Sequence, residues 1–219
     1  MIAWPQGGEP GEAVARHGML ALGADELVRA VGRLTESDAV ALHALAEPVR
    51  AALDRRADSL PFRPARAVVG EGDRIVRQDF EVSLGAEAER AFAHVARALE
   101  RLLNLSLEKV APPPLAGRLR LNDIVVQRYG PGSLGITPHR DHARYVGLVA
   151  ILVLSGRGRF FVCADRSGRH AREVSAAAGD LILMRAPGLW GRSDRPFHFL
   201  ADVTERRYSL GLREDSRRP

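Results

Sequence analysis

From Gly117 onward the chain reads as a succession of short strands, and this constrains the fold more than any other feature. The candidates are Leu119–Gly130, Ile136–Asp141, Tyr145–Leu154, Arg159–Ala164, Ala171–Ser175, Asp180–Arg185, Phe197–Val203 and Arg207–Arg213. Gly, Pro, Ser or Asp separates each from the next, as turn chemistry requires. Eight short strands at this spacing imply a sandwich or jelly roll, the double-stranded β-helix.

The first half is mostly helical. Ala24-Asp25-Glu26-Leu27 leads a helix toward Leu34. Thr35 reads as the N-cap of a second helix running from Glu36 through Leu53, with Val40, Leu42, Leu45 and Val49 as its apolar face and a kink at Pro48. Ala67–Val69 and Arg74–Val82 read as short strands around a Gly70–Asp73 turn. Glu87–Leu105 is the clearest helix, because Ala91, Phe92, Val95, Ala98, Leu99, Leu102 and Leu103 form one stripe. Pro112-Pro113-Pro114 reads as a linker. The expected class is therefore α+β: a double-stranded β-helix (jelly roll) core with N-terminal helices packed on one face. Residues 1–18 are expected to be a flexible N-terminus, 19–116 a helical and lid region, and 117–215 the core.

Composition narrows the class of function. Hydrophobic residues at 46% and charged residues at 27% are an ordinary globular balance. The longest apolar run, Val146–Leu154, has nine residues, too few for a membrane span. A lone cysteine, Cys163, excludes an intrachain disulfide and points to the cytoplasm. Nothing in the sequence marks a stable protein partner. Residues 111–219 hold 18 basic and 10 acidic side chains, an excess of +8, which suits an anionic substrate or nucleic acid. Only one of the 32 basic residues is a lysine, Lys109, so genome composition accounts for part of this excess equally well.

The chemistry-bearing stretch is Gln127 to Asp141, which ends in His139-Arg140-Asp141. In an extended strand, residues two apart share a face, so His139 and Asp141 would reach one point together. With a further histidine they would form the facial triad of non-haem Fe(II) oxygenases. His17, His43 and His94 lie in the first half, His142 points away from Asp141, and His170 sits in a polar turn. His198, inside Phe197–Val203, is the best remaining candidate. In the last strand, Arg207, Ser209, Gly211 and Arg213 share one face, while Tyr208, Leu210 and Leu212 share the other. Buried guanidinium groups need anionic partners, and a dicarboxylate co-substrate fits them.

This ordered set resembles the Fe(II)/2-oxoglutarate-dependent dioxygenases. Arg128-Tyr129-x-Pro131-Gly132 before the His-x-Asp, and Arg-Tyr-x-Leu-x-x-Arg at 207–213, are most similar to their AlkB-like branch. The resemblance covers residues 119–213. It implies that His139, Asp141 and His198 hold Fe(II). It further implies that Arg207 binds the distal carboxylate of 2-oxoglutarate with help from Ser209, that Arg213 sits near Asp141 and the other carboxylate, and that Gln127 and Tyr129 contact the co-substrate. The implied reaction consumes O2 and 2-oxoglutarate, releases succinate and CO2, and hydroxylates or oxidatively demethylates a substrate. AlkB-like nucleic-acid demethylases usually carry acidic residues just past the His-x-Asp, where this chain has His142, Ala143 and Arg144. The substrate therefore stays open between a small molecule or protein side chain and an alkylated nucleic acid. Phe62 and Phe80 are the aromatic residues expected in the lid, and Trp190 could border the pocket or simply pack. A cupin-type metalloprotein and a non-catalytic jelly-roll binding module are the other readings.

Overall fold

The computed structural model describes residues 19–218, so the expectation of a flexible segment at 1–18, with His17, lies outside them. In chain order the elements are α1 (Ala24–Arg33), β1 (Ala39–His43), α2 (Glu47–Asp58), β2 (Arg63–Pro64), β3 (Val68–Val69), β4 (Val76–Asp79), β5 (Glu81–Ser83) and α3 (Arg90–Leu107). There follow β6 (Asp123–Tyr129), β7 (Gly135–His139), β8 (Tyr145–Ser155), β9 (Arg159–Cys163), β10 (Arg172–Glu173), β11 (Asp180–Arg185), β12 (Phe197–Ala201) and β13 (Arg207–Asp215). Each of the eight strands expected after Gly117 is present.

The strands form two antiparallel sheets. The larger runs β1-β11-β8-β13-β6-β5-β2 and the smaller β10-β9-β12-β7-β4-β3. Consecutive strands of the core alternate between sheets, from β6 to β7, β7 to β8 and β8 to β9, which is the jelly-roll pattern.

The larger sheet separates two apolar clusters. On one side Leu148, Leu152, Tyr208, Leu210 and Leu212 share a core with Leu27 and Val31 of α1, Leu53 of α2 and Phe92, Val95, Leu99 and Leu103 of α3. Between the sheets lies a smaller cluster built from Tyr129, Val149, Val153, Phe160, Val162 and Leu200. Strand periodicity produces this division: Tyr208, Leu210 and Leu212 face the helices, so Arg207, Ser209, Gly211 and Arg213 must face the other sheet. Asn104 fastens α3 to the approach of β6. Its amide donates to the Leu119 carbonyl at 2.9 Å, and its oxygen accepts from the Leu119 N–H at 2.9 Å.

One expectation fails. There is no single helix from Glu36 through Leu53. Ala39–His43 is an edge strand paired antiparallel with β11, and the helix begins only at Glu47. Ladder bonds to β11 outweigh local helical preference at residues 39–43, an instance of tertiary context overriding propensity. Pro48 does not kink a helix; it occupies the first turn of α2, where its missing N–H costs nothing. Thr35 caps no helix start either. Its hydroxyl donates to the Gly32 carbonyl at 2.8 Å, at the end of α1.

Candidate metal centre

The site is assembled by cross-strand register. β7 and β12 run antiparallel with His139 directly opposite His198. Residues opposite each other present side chains on the same face. The imidazole centroids lie 4.3 Å apart. Asp141 follows just past the end of β7, and its Oδ1 is 4.0 Å from Nε2 of His198. One ligand atom from each of His139, Asp141 and His198 lies within 4.8 Å of the others.

Both imidazoles are oriented by backbone carbonyls. Nδ1–H of His139 donates to the Thr137 carbonyl at 3.0 Å, and Nδ1–H of His198 points at the Pro196 carbonyl at 3.4 Å. This leaves each Nε2 lone pair toward the shared centre, the arrangement that metal-ligating histidines use. Burial, then the charge of His198, holds the His139 imidazole well below the ordinary histidine pKa; the Asp141 charge opposes this, and Arg166 adds to it. Asp141 is held below the usual carboxylate range. Its burial acts the other way, but His198, Arg213 and His139 outweigh it. Two imidazoles beside a carboxylate are a donor set that fits a divalent cation.

The opposite wall of the cavity comes from the larger sheet. Arg207 faces Tyr129, Ser209 faces Gln127 and Arg213 faces Asp123 across β13 and β6. Each of the eight site residues expected from the sequence lines this one cavity: Gln127, Tyr129, His139, Asp141, His198, Arg207, Ser209 and Arg213. The space between its walls, open mouth included, is about 550 Å³. Ile136, Phe160 and Leu200 supply the apolar wall.

The two arginines differ. Arg213 is paired with Asp123, its Nη2 lying 2.8 Å from Oδ2, and its guanidinium lies 4.5 Å from the Tyr145 ring centroid. Arg207 is 3% exposed and has no ion-pair partner among the described residues; its guanidinium lies 5.8 Å from the Tyr129 ring centroid. Burial without a partner pulls its pKa down from the ordinary arginine value. Burial also pushes the Tyr129 phenol up to about 12, against the opposing charges of Arg207 and Arg213, so it remains a hydrogen-bond donor. Ser209 donates weakly to Gln127 Oε1 at 3.5 Å.

Three residues escaped the sequence reading. Asp123 anchors Arg213, Arg195 donates from Nη1 to the Asp141 carbonyl at 2.6 Å, and Phe160 stacks on His198 at 5.7 Å. No sequence signal could have singled out the first two, because their partners lie on distant strands. The aromatic residues divide. Phe80 packs on Tyr129 at 5.1 Å, near the cavity. Phe62 lies against Tyr208, on the helical side of the larger sheet. Trp190 packs beside the helical core and does not line the cavity.

Two antiparallel sheets, with a His-Asp-His cluster at one and an arginine row on the other, make up a double-stranded β-helix fold. Among solved structures, the chain is similar to a Trichoplax adhaerens prolyl hydroxylase in complex with a hypoxia inducible factor oxygen degradation domain peptide. The TM-score is 0.60 at 12% identity, covering 88% of this chain and 90% of that one. It is also similar to a Pseudomonas putida prolyl-4-hydroxylase, with TM-score 0.57 at 23% identity over 88% of this chain and 100% of that one. An oxidoreductase of the 2OG-Fe(II) oxygenase family from Burkholderia pseudomallei gives TM-score 0.57 at 15% identity, with 90% and 96% covered. No protein-family model matches the sequence, and no curated protein matches it. Among the described residues, no helix is long and apolar enough to cross a membrane.

Proposed function

We propose that the chain is an Fe(II)- and 2-oxoglutarate-dependent oxygenase. The observation that carries this reading is the pairing of a His-Asp-His cluster with a buried arginine that has no acidic partner among the described residues, both facing one cavity. An unpaired buried guanidinium is costly, and its presence calls for an anionic ligand.

His139, Asp141 and His198 hold the iron. When bound, it supplies a centre at which decarboxylation of 2-oxoglutarate to succinate and CO2 is coupled to insertion of an oxygen atom from O2 into a substrate C–H bond. Arg207 would hold the distal carboxylate of 2-oxoglutarate and the Tyr129 hydroxyl would donate to it, with Ser209 assisting once its O–H turns away from Gln127. Gln127 orients Ser209. Arg213, fixed by Asp123, keeps Asp141 ionised and places a positive charge beside the co-substrate's other carboxylate. Ile136, Phe160 and Leu200 exclude water from the reacting end.

Residues 117–215 form the catalytic core, and residues 19–116 back the larger sheet with helices and contribute the lid. The chain works as one unit in the cytoplasm. Its substrate is a small molecule or a protein side chain, and the product is hydroxylated or oxidatively demethylated. The prolyl hydroxylase neighbours and the absence of acidic residues at 142–144 support that choice over a nucleic acid. His142 and Ala143 are exposed, while the Arg144 guanidinium is tied to Asp215 at 2.8 Å, so none of the three offers the carboxylate expected of an AlkB-like base reader.

Anaerobic addition of Fe(II) and 2-oxoglutarate should produce a weak visible charge-transfer band, and admission of O2 should release succinate. Wild-type protein without that band, or His139→Ala and Asp141→Ala variants that retain it, would overturn the assignment. Binding of a single-stranded oligonucleotide that weakens steeply with salt would instead move the substrate to nucleic acid.

A further inference from the structure

The outer face of the smaller sheet carries an arginine-aromatic ladder, of which only Phe199 also borders the cavity. Strand alternation sends Phe197 and Phe199 of β12 outward as it sends His198 inward. Phe199 stacks on Phe161 of β9 at 4.6 Å and 11°. At the far end, Arg159 covers Phe161 at 4.8 Å. At the metal end, Arg140 and Arg166 both lie against Phe197, at 4.1 and 5.5 Å from its centroid.

The two ends are neutralised differently. Arg159 is held by Glu173 at 2.8 Å and Asp202 at 3.0 Å. Arg140 and Arg166 have no acidic partner among the described residues. The carboxylate adjacent to Arg166 is already committed, since Asp165 accepts from Ser167 and pairs with Arg169 at 3.2 Å. Those same bonds stiffen the loop that presents Arg166. Two like charges on one ring repel each other unless an anion lies between them.

The geometry points to a second anion subsite, in which Arg140 and Arg166 hold a carboxylate or phosphate group of the substrate against Phe197, on the lip beside His139. Arginine pairs fix such oxyanions with directed N–H donors. Arg140 lies between His139 and Asp141 in sequence, and Arg166 acts on the His139 ring, though less than burial, His198, Asp141 and the Thr137 carbonyl do. A group docked there lies at the threshold of the centre. The substrate is therefore anionic at one end and oxidised at another. Only the consequence for the reaction rests on the oxygenase reading; the binding itself does not.

The test is titration of the full chain, with its arginines 15N-labelled, by sodium acetate and separately by inorganic phosphate. The Nε–Hε resonances of Arg140 and Arg166 are expected to shift together and saturably while that of Arg159 stays fixed; Arg207, inside the cavity, reports separately. Arg140→Gln and Arg166→Gln should each weaken the effect by about tenfold, with the remaining spectrum unchanged. Tighter saturation by phosphate assigns a phosphorylated substrate, and tighter saturation by acetate a carboxylic acid. No saturable shift with either anion, or an equal shift at Arg159, overturns the subsite. The Fe(II)–2-oxoglutarate band separates the two ideas. A band without the anion shift removes only the subsite, whereas an anion shift without the band removes only the oxygenase assignment.

Discussion

Arg213 and Asp123 stand directly opposite each other on β13 and β6, with Nε and Nη2 of the arginine 2.9 and 2.8 Å from one carboxylate oxygen. At the other end of the same face, Arg207 stands opposite Tyr129, which offers no negative charge. One arginine is satisfied by the fold; the other has no acidic partner among the described residues.

Substitution should separate these two roles. Arg207→Met removes a buried charge with no partner, so the melting temperature should hold or rise, while 2-oxoglutarate affinity falls at least about tenfold. Arg213→Met strands a buried carboxylate and should cost about 3 kcal/mol of stability, less whatever Arg218, 3.5 Å from Asp123, recovers. Urea denaturation of both variants, alongside titration of the charge-transfer band, measures the contrast. Equal loss of stability in the two would contradict it.

Tyr129 should leave a signature at high pH. Burial raises its folded pKa to about 12, while the unfolded phenol ionises near 10. The unfolded state therefore loses its proton first as pH rises. Stability contributed by the protonated phenol is complete below pH 10 and is lost between about 10 and about 12. Tyr129→Phe should flatten that part of the curve. Denaturation midpoints at pH 9 and 11.5 test this, and absorbance near 295 nm should show wild-type Tyr129 still protonated at pH 11.

Gly135 brings β7 close against β12. Its φ of +74° suits glycine, and an added Cβ would lie 2.0 Å from the Leu200 carbonyl oxygen on β12. Gly135→Ala should cost about 2–3 kcal/mol or more. It should also weaken Co(II) binding, because β7 and β12 would part near the His139–His198 pair. Calorimetry and a Co(II) absorption titration check the two effects. An alanine variant with wild-type melting and metal affinity would show that the strands yield there at no cost.

Much of the core was legible because its signals are local. The period-two rows of β13 placed Arg207, Ser209 and Arg213 on one face, and His139 and His198 stood out as imidazoles in strand contexts. Residues 36–53 were not legible, because Val40, Leu42, Leu45 and Val49 fit a helical stripe tolerably, and only pairing with β11 makes 39–43 a strand. The signal that was present is Pro48, which favours a helix's first turn over its interior. Asp123 and Arg195 could not be read at all. Each acts on a partner 90 or 54 positions away, and separations of that size leave no periodic trace.

His139 and His198 belong to one sheet and Arg207 and Arg213 to the other, and each layer is stiffened by its own ladder of hydrogen bonds. The gap between the layers therefore serves as a fixed ruler. On the proposed reading, a 2-oxo diacid would be measured end to end between the histidines and Arg207. Diacids one methylene shorter or longer should then bind more weakly, because the two walls set that separation.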